Sequence, residues 1–100
     1  MFDQNPSVSA LVVMNDRALP GVYRALYEAR KHIPNDIAVL SMVTSARAAE
    51  MLYPPVTTLE FPADVLAAQA VHQLILQIRG DHTSPLHNLL ECLLVEREST

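Results

Sequence analysis

Apolar residues recur along the chain with two spacings, which separate strands from helices. Short apolar runs occupy residues 8–14 ("VSALVVM") and 37–42 ("IAVLSM"), and each follows a turn-forming segment, "DQNPS" or "HIPND". Such short aliphatic runs are typical of strands buried on both faces, as in a parallel sheet. Between the two runs, apolar residues recur on one face of a predicted helix, at Leu19, Val22, Tyr23, Leu26 and Ile33. The first third of the chain therefore predicts a βαβ unit.

The rest of the chain continues this alternation. "SARAAEML" consists of good helix formers and is stopped by "YPP", and "VTTLEF" favours a strand. The longest helical pattern, residues 63–79, begins after Pro62 and ends at Gly80. A loop, "DHTSPLHN", precedes "LLECLLVERES", which predicts a last strand that is apolar on both faces up to Glu96. We expect an α/β fold of order βαβαβαβ, in which helices flank a mostly parallel sheet.

Length and charge limit the classes of function. One hundred residues form one small domain with a single core. The net charge of −4 provides no basic surface for a phosphate backbone, so no direct contact with nucleic acid is expected. No segment has the length and apolar character of a membrane span, and the amino terminus lacks the pattern of an export signal. With one cysteine, Cys92, an intramolecular disulfide is excluded, and we expect a cytoplasmic protein without membrane contact.

Patterns of catalysis and of cofactor binding are missing from the sequence. The four histidines, two of them in the loop before the last strand, lack the spacing of metal ligands, and two glycines cannot form a glycine-rich phosphate loop. Cys92 stands among leucines, where we expect a buried, unreactive thiol. Arg97, between Glu96 and Glu98, predicts a solvated strand end. We therefore expect no enzyme activity, no metal and no cofactor.

Two polar residues, Asn15 and Asp16, stand where the first strand gives way to the first helix. Asn and Asp are favoured helix N-caps, because their side-chain oxygens accept hydrogen bonds from the first-turn N–H groups. One cap needs only one residue. Open α/β sheets bind ligands outside the carboxyl ends of their strands, so the second side chain is available to bind a solute. Capping alone and ligand contact both remain open interpretations of this pair.

Four segments stand in a specific order along almost the whole chain. They are the Asn-Asp pair, "IPNDIAVL" at residues 33–40, "PPVTTL" at 54–59 and "VEREST" at 95–100. With this order and spacing, the chain resembles the C-terminal third of LacI/GalR-family transcriptional regulators, whose core domains are similar to periplasmic sugar-binding proteins. The resemblance implies that residues 1–100 are the C-terminal portion of a type I periplasmic-binding-protein-like core. The helix-turn-helix head and the first part of that core are then absent from this chain.

The resemblance assigns effector binding to the strand-to-helix junction. Asn15 and Asp16 match family positions that hold the effector, so both are candidate hydrogen-bonding groups for a sugar or similar polar molecule. Where the family commonly has Gly-aromatic-Asp-Asp, this chain has Ser-Met-Val-Thr at residues 41–44. Thr44 and Ser45 offer hydroxyl groups there and complete the candidate effector site, with helix capping as the other role for Ser45.

The resemblance also implies dimerisation. In the family, the helix after Asn-Asp and the segment before Pro-Pro contribute to the dimer interface. The corresponding residues here are candidates either for dimer contacts or for the core: Val22, Tyr23, Leu26, Met51 and Leu52. Helix 63–79 packs against the other lobe in the family, so here its apolar stripe lacks a surface. We expect a homodimer or an exchange of that helix between two chains.

The function implied is that of an effector-sensing, dimerising part of a cytoplasmic repressor. Operator DNA would be contacted only through the absent helix-turn-helix. One alternative is a fragment of an exported sugar-binding protein of an ABC transporter, which has the same fold. An enzyme fragment is a third class, but it requires a nucleophile or a phosphate loop where this chain has Asn-Asp.

Overall fold

A computed structural model describes residues 4, 7–43, 46–81 and 87–100. Strands and helices alternate along the chain, with a 3-10 turn at Asp16–Ala18 before the first helix. The elements are β1 (Ala10–Val13), α1 (Leu19–Glu28), β2 (Ala38–Val43), α2 (Ala46–Glu50), β3 (Thr57–Glu60), α3 (Ala63–Ile78) and β4 (Leu93–Val95). The predicted βαβαβαβ order is confirmed.

The four strands form one sheet in the order β1-β2-β3-β4. Strands β1, β2 and β3 run parallel, and β4 is antiparallel to β3. Val13 pairs with Ser41, and Ser41 with Thr58, so the three parallel strands finish at one end, here named the carboxyl end of the sheet. The predicted mostly parallel sheet is confirmed, and its carboxyl end is where such folds bind ligands.

Helix α1 covers one face of the sheet and completes the core. Pro20 lies in its first turn, where the missing N–H of proline costs no hydrogen bond. The helix buries Leu19 and Leu26, which lie on one face because they are seven residues apart. The core cluster consists of Val13, Leu19, Leu26, Ile37, Val39, Ala49 and Val56.

Ser99, near the C-terminus, links β2 to β3 by hydrogen bonds just before the two strands begin to pair. Ser99 is fully buried, and its Oγ donates a hydrogen bond to the Val39 carbonyl and accepts one from the Thr57 N–H, 2.7 Å away. The Val39 N–H donates to the Ser99 carbonyl at 2.8 Å. One residue thus satisfies backbone groups of two neighbouring strands just before they begin to pair with each other.

Helix α3 stands apart from the sheet. None of its residues is buried. Among the described residues its side-chain hydrogen bond is with the segment before β4, where Asn88 Nδ2 donates to Gln69 Oε1 at 2.6 Å. The chain measures 57 × 29 × 19 Å with a radius of gyration of 18.0 Å, against about 13 Å for a compact chain of this length. Its large exposed apolar side chains are Val65, Leu66, Val71, Leu74, Ile75 and Ile78. The expectation that this helix lacks a surface within the chain is confirmed.

Two strands are less buried than the sequence predicts. Val12 in β1 is 64% exposed, because β1 is an edge strand of the sheet rather than a central one. Strand β4 is only three residues long and also lies at an edge, so Leu93 and Leu94 are exposed. Cys92, expected to be buried, is partly exposed for the same reason.

Candidate functional site

The junction between β1 and α1 uses Asn15 as a cap. Its backbone is extended, with φ −144° and ψ 121°, and its Oδ1 accepts a hydrogen bond from the Arg17 N–H at 2.9 Å. The Asn15 carbonyl accepts a second bond from the Ala18 N–H at 3.0 Å. These two bonds tie the end of β1 to the 3-10 turn, so the Asn15 side chain has a structural role.

Asp16, the second residue of the pair, does not act as the cap. It lies in the first position of the 3-10 turn, is half-buried, and among the described residues no group donates a hydrogen bond to its carboxylate. An ionised carboxylate accepts several hydrogen bonds and donates none, which suits it to ligand hydroxyl groups. The junction therefore combines one capping residue with one carboxylate free of partners in the described part of the chain.

The second pair of candidates, Thr44 and Ser45, lies outside the described residues. Strand β2 ends at Val43, whose backbone is in register with Glu60 at the end of β3. The described part of β2 thus finishes at the same end of the sheet as β1, whose last residue is followed by the Asn-Asp junction.

Arg97 lies along β3 instead of in solvent, which corrects the sequence-based expectation. Its side chain is only 13% exposed. Nη1 donates to the Val56 carbonyl at 3.1 Å and to Thr58 Oγ1 at 2.6 Å, and Nη2 lies 3.2 Å from Glu60 Oε1. The Thr58 and Glu60 side chains lie on one face of β3, two residues apart, and the Val56 backbone carbonyl just before the strand adds a third acceptor for the guanidinium group.

Further bonds fix the backbone around Arg97. The Arg97 N–H donates to Thr57 Oγ1 at 2.9 Å, and Thr57 Oγ1 lies 2.7 Å from Thr100 Oγ1. Glu50 at the end of α2 adds a carboxylate 3.9 Å from Arg97 Nη2. In the sequence, only the terminal "VEREST" segment pointed to this network. Arg97 stands there between two glutamates, a pattern typical of exposed charged residues, so its burial could not be predicted.

The dimer candidates occupy different environments. Leu26 is buried in the core, which is the alternative role for this group, while Val22, Tyr23 and Leu52 pack partly buried against that core. Burial raises the pKa of Tyr23 to about 12, and its hydroxyl donates to the Pro54 carbonyl at 2.9 Å. Met51 remains open, with 81% of its surface exposed.

Two further tyrosines are exposed: Tyr27, which the sequence pattern places near Tyr23 on one helical face, and Tyr53, which the sequence analysis did not select. Tyr27 in α1 is 84% exposed and Tyr53, two residues after Met51, is 91% exposed. Together they line a hollow of about 300 Å³. Large exposed aromatic side chains are frequent anchors of protein interfaces.

A different hollow, of about 340 Å³, opens between β1 and α1. It is lined by Leu11, Val12, Val13, Met14, Val22, Ala25 and Leu26, which are all apolar side chains. A sugar requires polar groups that orient its hydroxyls, so this hollow does not fit a polar effector.

Within the described ranges of the chain, no three His, Cys, Asp or Glu side chains are grouped as metal ligands. Nor does any described helix have the length and apolar character needed to cross a membrane.

Comparison with known proteins gives consistent relatives. Residues 2–100 match the family model of the periplasmic binding protein-like domain. The ribose operon repressor of Escherichia coli is 36% identical over 90 residues, which cover 90% of this chain and 27% of the repressor. The chain thus spans little more than a quarter of that relative.

Solved structures agree with the sequence relatives. A complex of the transcriptional regulator CelR with cellobiose superposes with a TM-score of 0.83 at 29% identity, over 99% of this chain and 30% of that one. The lac repressor dimer bound to operator and the anti-inducer ONPF superposes with a TM-score of 0.80 at 26% identity, over 99% of this chain and 34% of that one. The chain therefore belongs to the family of periplasmic binding protein-like domains, in the branch of LacI/GalR-type transcriptional regulators.

Proposed function

We propose that this chain is the C-terminal, effector-sensing part of a LacI-type repressor that responds to a sugar in the cytoplasm. The observation that carries the proposal is the half-buried Asp16 carboxylate, which has no partner among the described residues and follows the capping residue Asn15 at the carboxyl end of three parallel strands. No chemistry on the effector is involved, and the chain acts by binding alone.

Recognition of a sugar uses this carboxylate as an acceptor. Two neighbouring sugar hydroxyls donate to the two oxygens of Asp16, while Asn15 keeps the turn in place through its bond to the Arg17 N–H. Thr44 and Ser45, which lie outside the described residues, are proposed to add hydroxyl groups for the effector. This chain forms one wall of the site, and the rest of the repressor supplies the other.

Effector binding then changes DNA affinity by shifting a population. An effector that contacts both walls favours the arrangement in which they are correctly spaced, and it shifts the equilibrium only by its difference in affinity for the two arrangements. Operator contact belongs to a separate helix-turn-helix domain, because the net charge of −4 makes this chain a poor partner for DNA.

The proposal includes a homodimer. Met51, with Tyr27 and Tyr53, offers exposed surface for the interface, and Val22, Tyr23 and Leu52 support it from beneath. The relatives named above are transcriptional regulators, two of them repressors, which favours a regulator over an exported sugar-binding protein.

Calorimetric titration of the full-length protein that contains this chain, with cellobiose and with D-ribose, tests the proposal. We expect one of these sugars to bind. Asp16→Ala should then weaken binding by about tenfold or more, because a hydrogen bond to a charged group contributes about 1.5–3 kcal/mol.

The matched control is Asp36→Ala, the same truncation just before β2 begins, at the opposite end of the sheet. This variant should bind the sugar as the wild type does. Absence of binding by either sugar, or equal affinities of the wild type and Asp16→Ala, would contradict the proposal.

A further inference from the structure

Both connections of α3 to the sheet pass through the β3–β4 pair. Strand β3 ends at Glu60, and α3 begins three residues later with Pro62 as its N-cap. The chain returns to the sheet at β4, where Leu93 pairs with Glu60. Within the described residues, the side-chain hydrogen bond of α3 goes to the segment that leads into β4: Asn88 Nδ2 donates to Gln69 Oε1 at 2.6 Å. The direction of α3 therefore depends on how β3, β4 and this segment are held.

The side chain of Arg97 holds that pair of strands along its length. Its guanidinium group bonds to the Val56 carbonyl before β3, to Thr58 within it and to Glu60 at its last position. Thr58 Oγ1 also donates to Glu60 Oε1 at 2.9 Å, so the carboxylate receives hydrogen bonds from two side chains. Glu60 is therefore fixed at the point where the chain leaves for α3.

A second set of contacts anchors Arg97 to the body of the sheet. Its backbone N–H is bonded to Thr57, and Ser99, two residues further on, is bonded to Val39 in β2. A lysine in place of Arg97 could not bond to Val56, Thr58 and Glu60 at once, because its ammonium group is compact and lacks the planar fork of the guanidinium group. The arginine thus joins the body of the sheet to the exit of α3.

We propose that the Glu60–Arg97 pair is a latch that fixes the orientation of α3 relative to the sheet. The latch is enclosed, with 13% of the Arg97 side chain and 24% of the Glu60 side chain exposed, so solvent and salt weaken it less than an open surface pair. With the latch intact, α3 takes one orientation. Without it, the exit from β3 bends freely and α3 samples several.

A regulatory consequence follows, and this step alone rests on the proposed function. Glu60 is in register with Val43, so the latch lies at the carboxyl end of the sheet, the end that carries Asp16. An effector bound at that end acts beside the residue that controls the direction of α3. The latch then connects effector binding to the movement of the second wall.

The test measures the orientation of α3 directly and without any effector. Spin labels are attached to cysteines placed at Ala29, after α1, and at Gln77 in α3, both exposed, in the 100-residue chain with Cys92→Ser. Double electron–electron resonance gives the distribution of distances between the labels. Labelled chain is diluted into unlabelled chain so that contacts between copies do not contribute.

We expect a single narrow distribution in the otherwise wild-type chain. Glu60→Gln, which removes the charge and keeps the shape, should add a second, displaced maximum, and Arg97→Lys should do the same. The matched control is Glu98→Gln, an identical substitution beside Arg97 at an exposed carboxylate that has no partner among the described residues.

Unchanged distributions in Glu60→Gln and Arg97→Lys would overturn the proposal, as would an equal change in Glu98→Gln. Loss of the circular-dichroism signal of the fold in both latch variants would also overturn it, because the pair would then be needed for the sheet itself. Failure of sugar binding in the calorimetric test leaves this result unaffected, so the two proposals fail separately.

Discussion

At the scale of single residues, buried polar side chains stabilise this small fold alongside a small apolar core. Ser99, Thr58 and Ser41 are buried, and each makes a hydrogen bond, so none leaves an unsatisfied group. Ser99 is the most connected of them, because its hydroxyl acts as donor to β2 and as acceptor from β3. Removing one such partner costs the desolvation of the groups that it leaves behind.

Ser99→Ala should lower the free energy of unfolding by about 1–3 kcal/mol, because the Val39 carbonyl and the Thr57 N–H lose a buried partner. Urea denaturation followed by circular dichroism measures the change. Ser9→Ala, the same substitution at an exposed position, is the control and should have little effect. Equal stabilities of the two variants would contradict the role given to Ser99.

Because Tyr23 is partly buried, we expect the chain to lose stability at high pH. Burial raises the pKa of Tyr23 to about 12 from the ordinary value of 10. The unfolded chain therefore loses this proton at lower pH than the folded chain. The contribution of Tyr23 to the free energy of unfolding is therefore complete below pH 10. It is lost as pH rises from 10 through 12, because ionisation of Tyr23 in the unfolded chain favours unfolding.

The measurement is the free energy of unfolding between pH 9 and pH 12, compared between the wild type and Tyr23→Phe. The wild type should lose more stability than the variant over this range, because phenylalanine carries no titrating group. Tyr27→Phe, at an exposed tyrosine, should follow the wild type. Parallel curves for the wild type and Tyr23→Phe would contradict the prediction.

At the scale of elements, α3 is the helix whose apolar surface is least satisfied. Six large apolar side chains are exposed along its sixteen residues, and burying each fully is worth about 1.5–3 kcal/mol. A patch of this kind promotes association with another surface. The same helix in a second copy of the chain is the nearest available surface, which supports the proposed self-association.

Sedimentation velocity over a concentration series should show a dimer or larger assembly at micromolar concentration. Val71→Glu combined with Leu74→Glu should weaken this association by removing the contribution of α3, because both residues are exposed and neither supports the core, while the proposed contact through Met51, Tyr27 and Tyr53 stays intact. Gln77→Glu adds charge to the same helix outside the apolar group and serves as the control. A monomeric wild type would contradict the prediction.

At the scale of the whole molecule, the chain has one stable body and one helix that depends on contacts from outside. The core lies between the sheet and helices α1 and α2, and α3 contributes no residue to it. Most helical stability in proteins comes from tertiary packing, so α3, which buries no residue, opens more readily than the sheet. Its opening need not involve unfolding of the sheet.

Hydrogen exchange measured by mass spectrometry should show this division. At concentrations low enough to keep the chain monomeric, amides of α3 should exchange much faster than those of β2 and β3. The two strands are central in the sheet and exchange only through larger openings. Equal protection of α3 and the strands would show that the helix belongs to the same cooperative unit.

The sequence by itself determined the order of elements, the parallel pairing and the cap at the strand-to-helix junction. These features depend on local signals: aliphatic runs, helical spacing, Pro62, Gly80 and the capping chemistry of Asn15. The capping geometry appeared as predicted, because a cap acts within three residues of chain.

Tertiary structure alone decided which residues were enclosed. Val12 and Cys92 looked buried in the sequence, but Val12 lies in the edge strand β1 and Cys92 comes just before the other edge strand, β4. Arg97 looked solvated, but β3 offers it a row of acceptors about 40 residues away in the chain. The exposure of a side chain depends on which distant segments of the chain pack against it. The local sequence pattern around a residue does not contain that information.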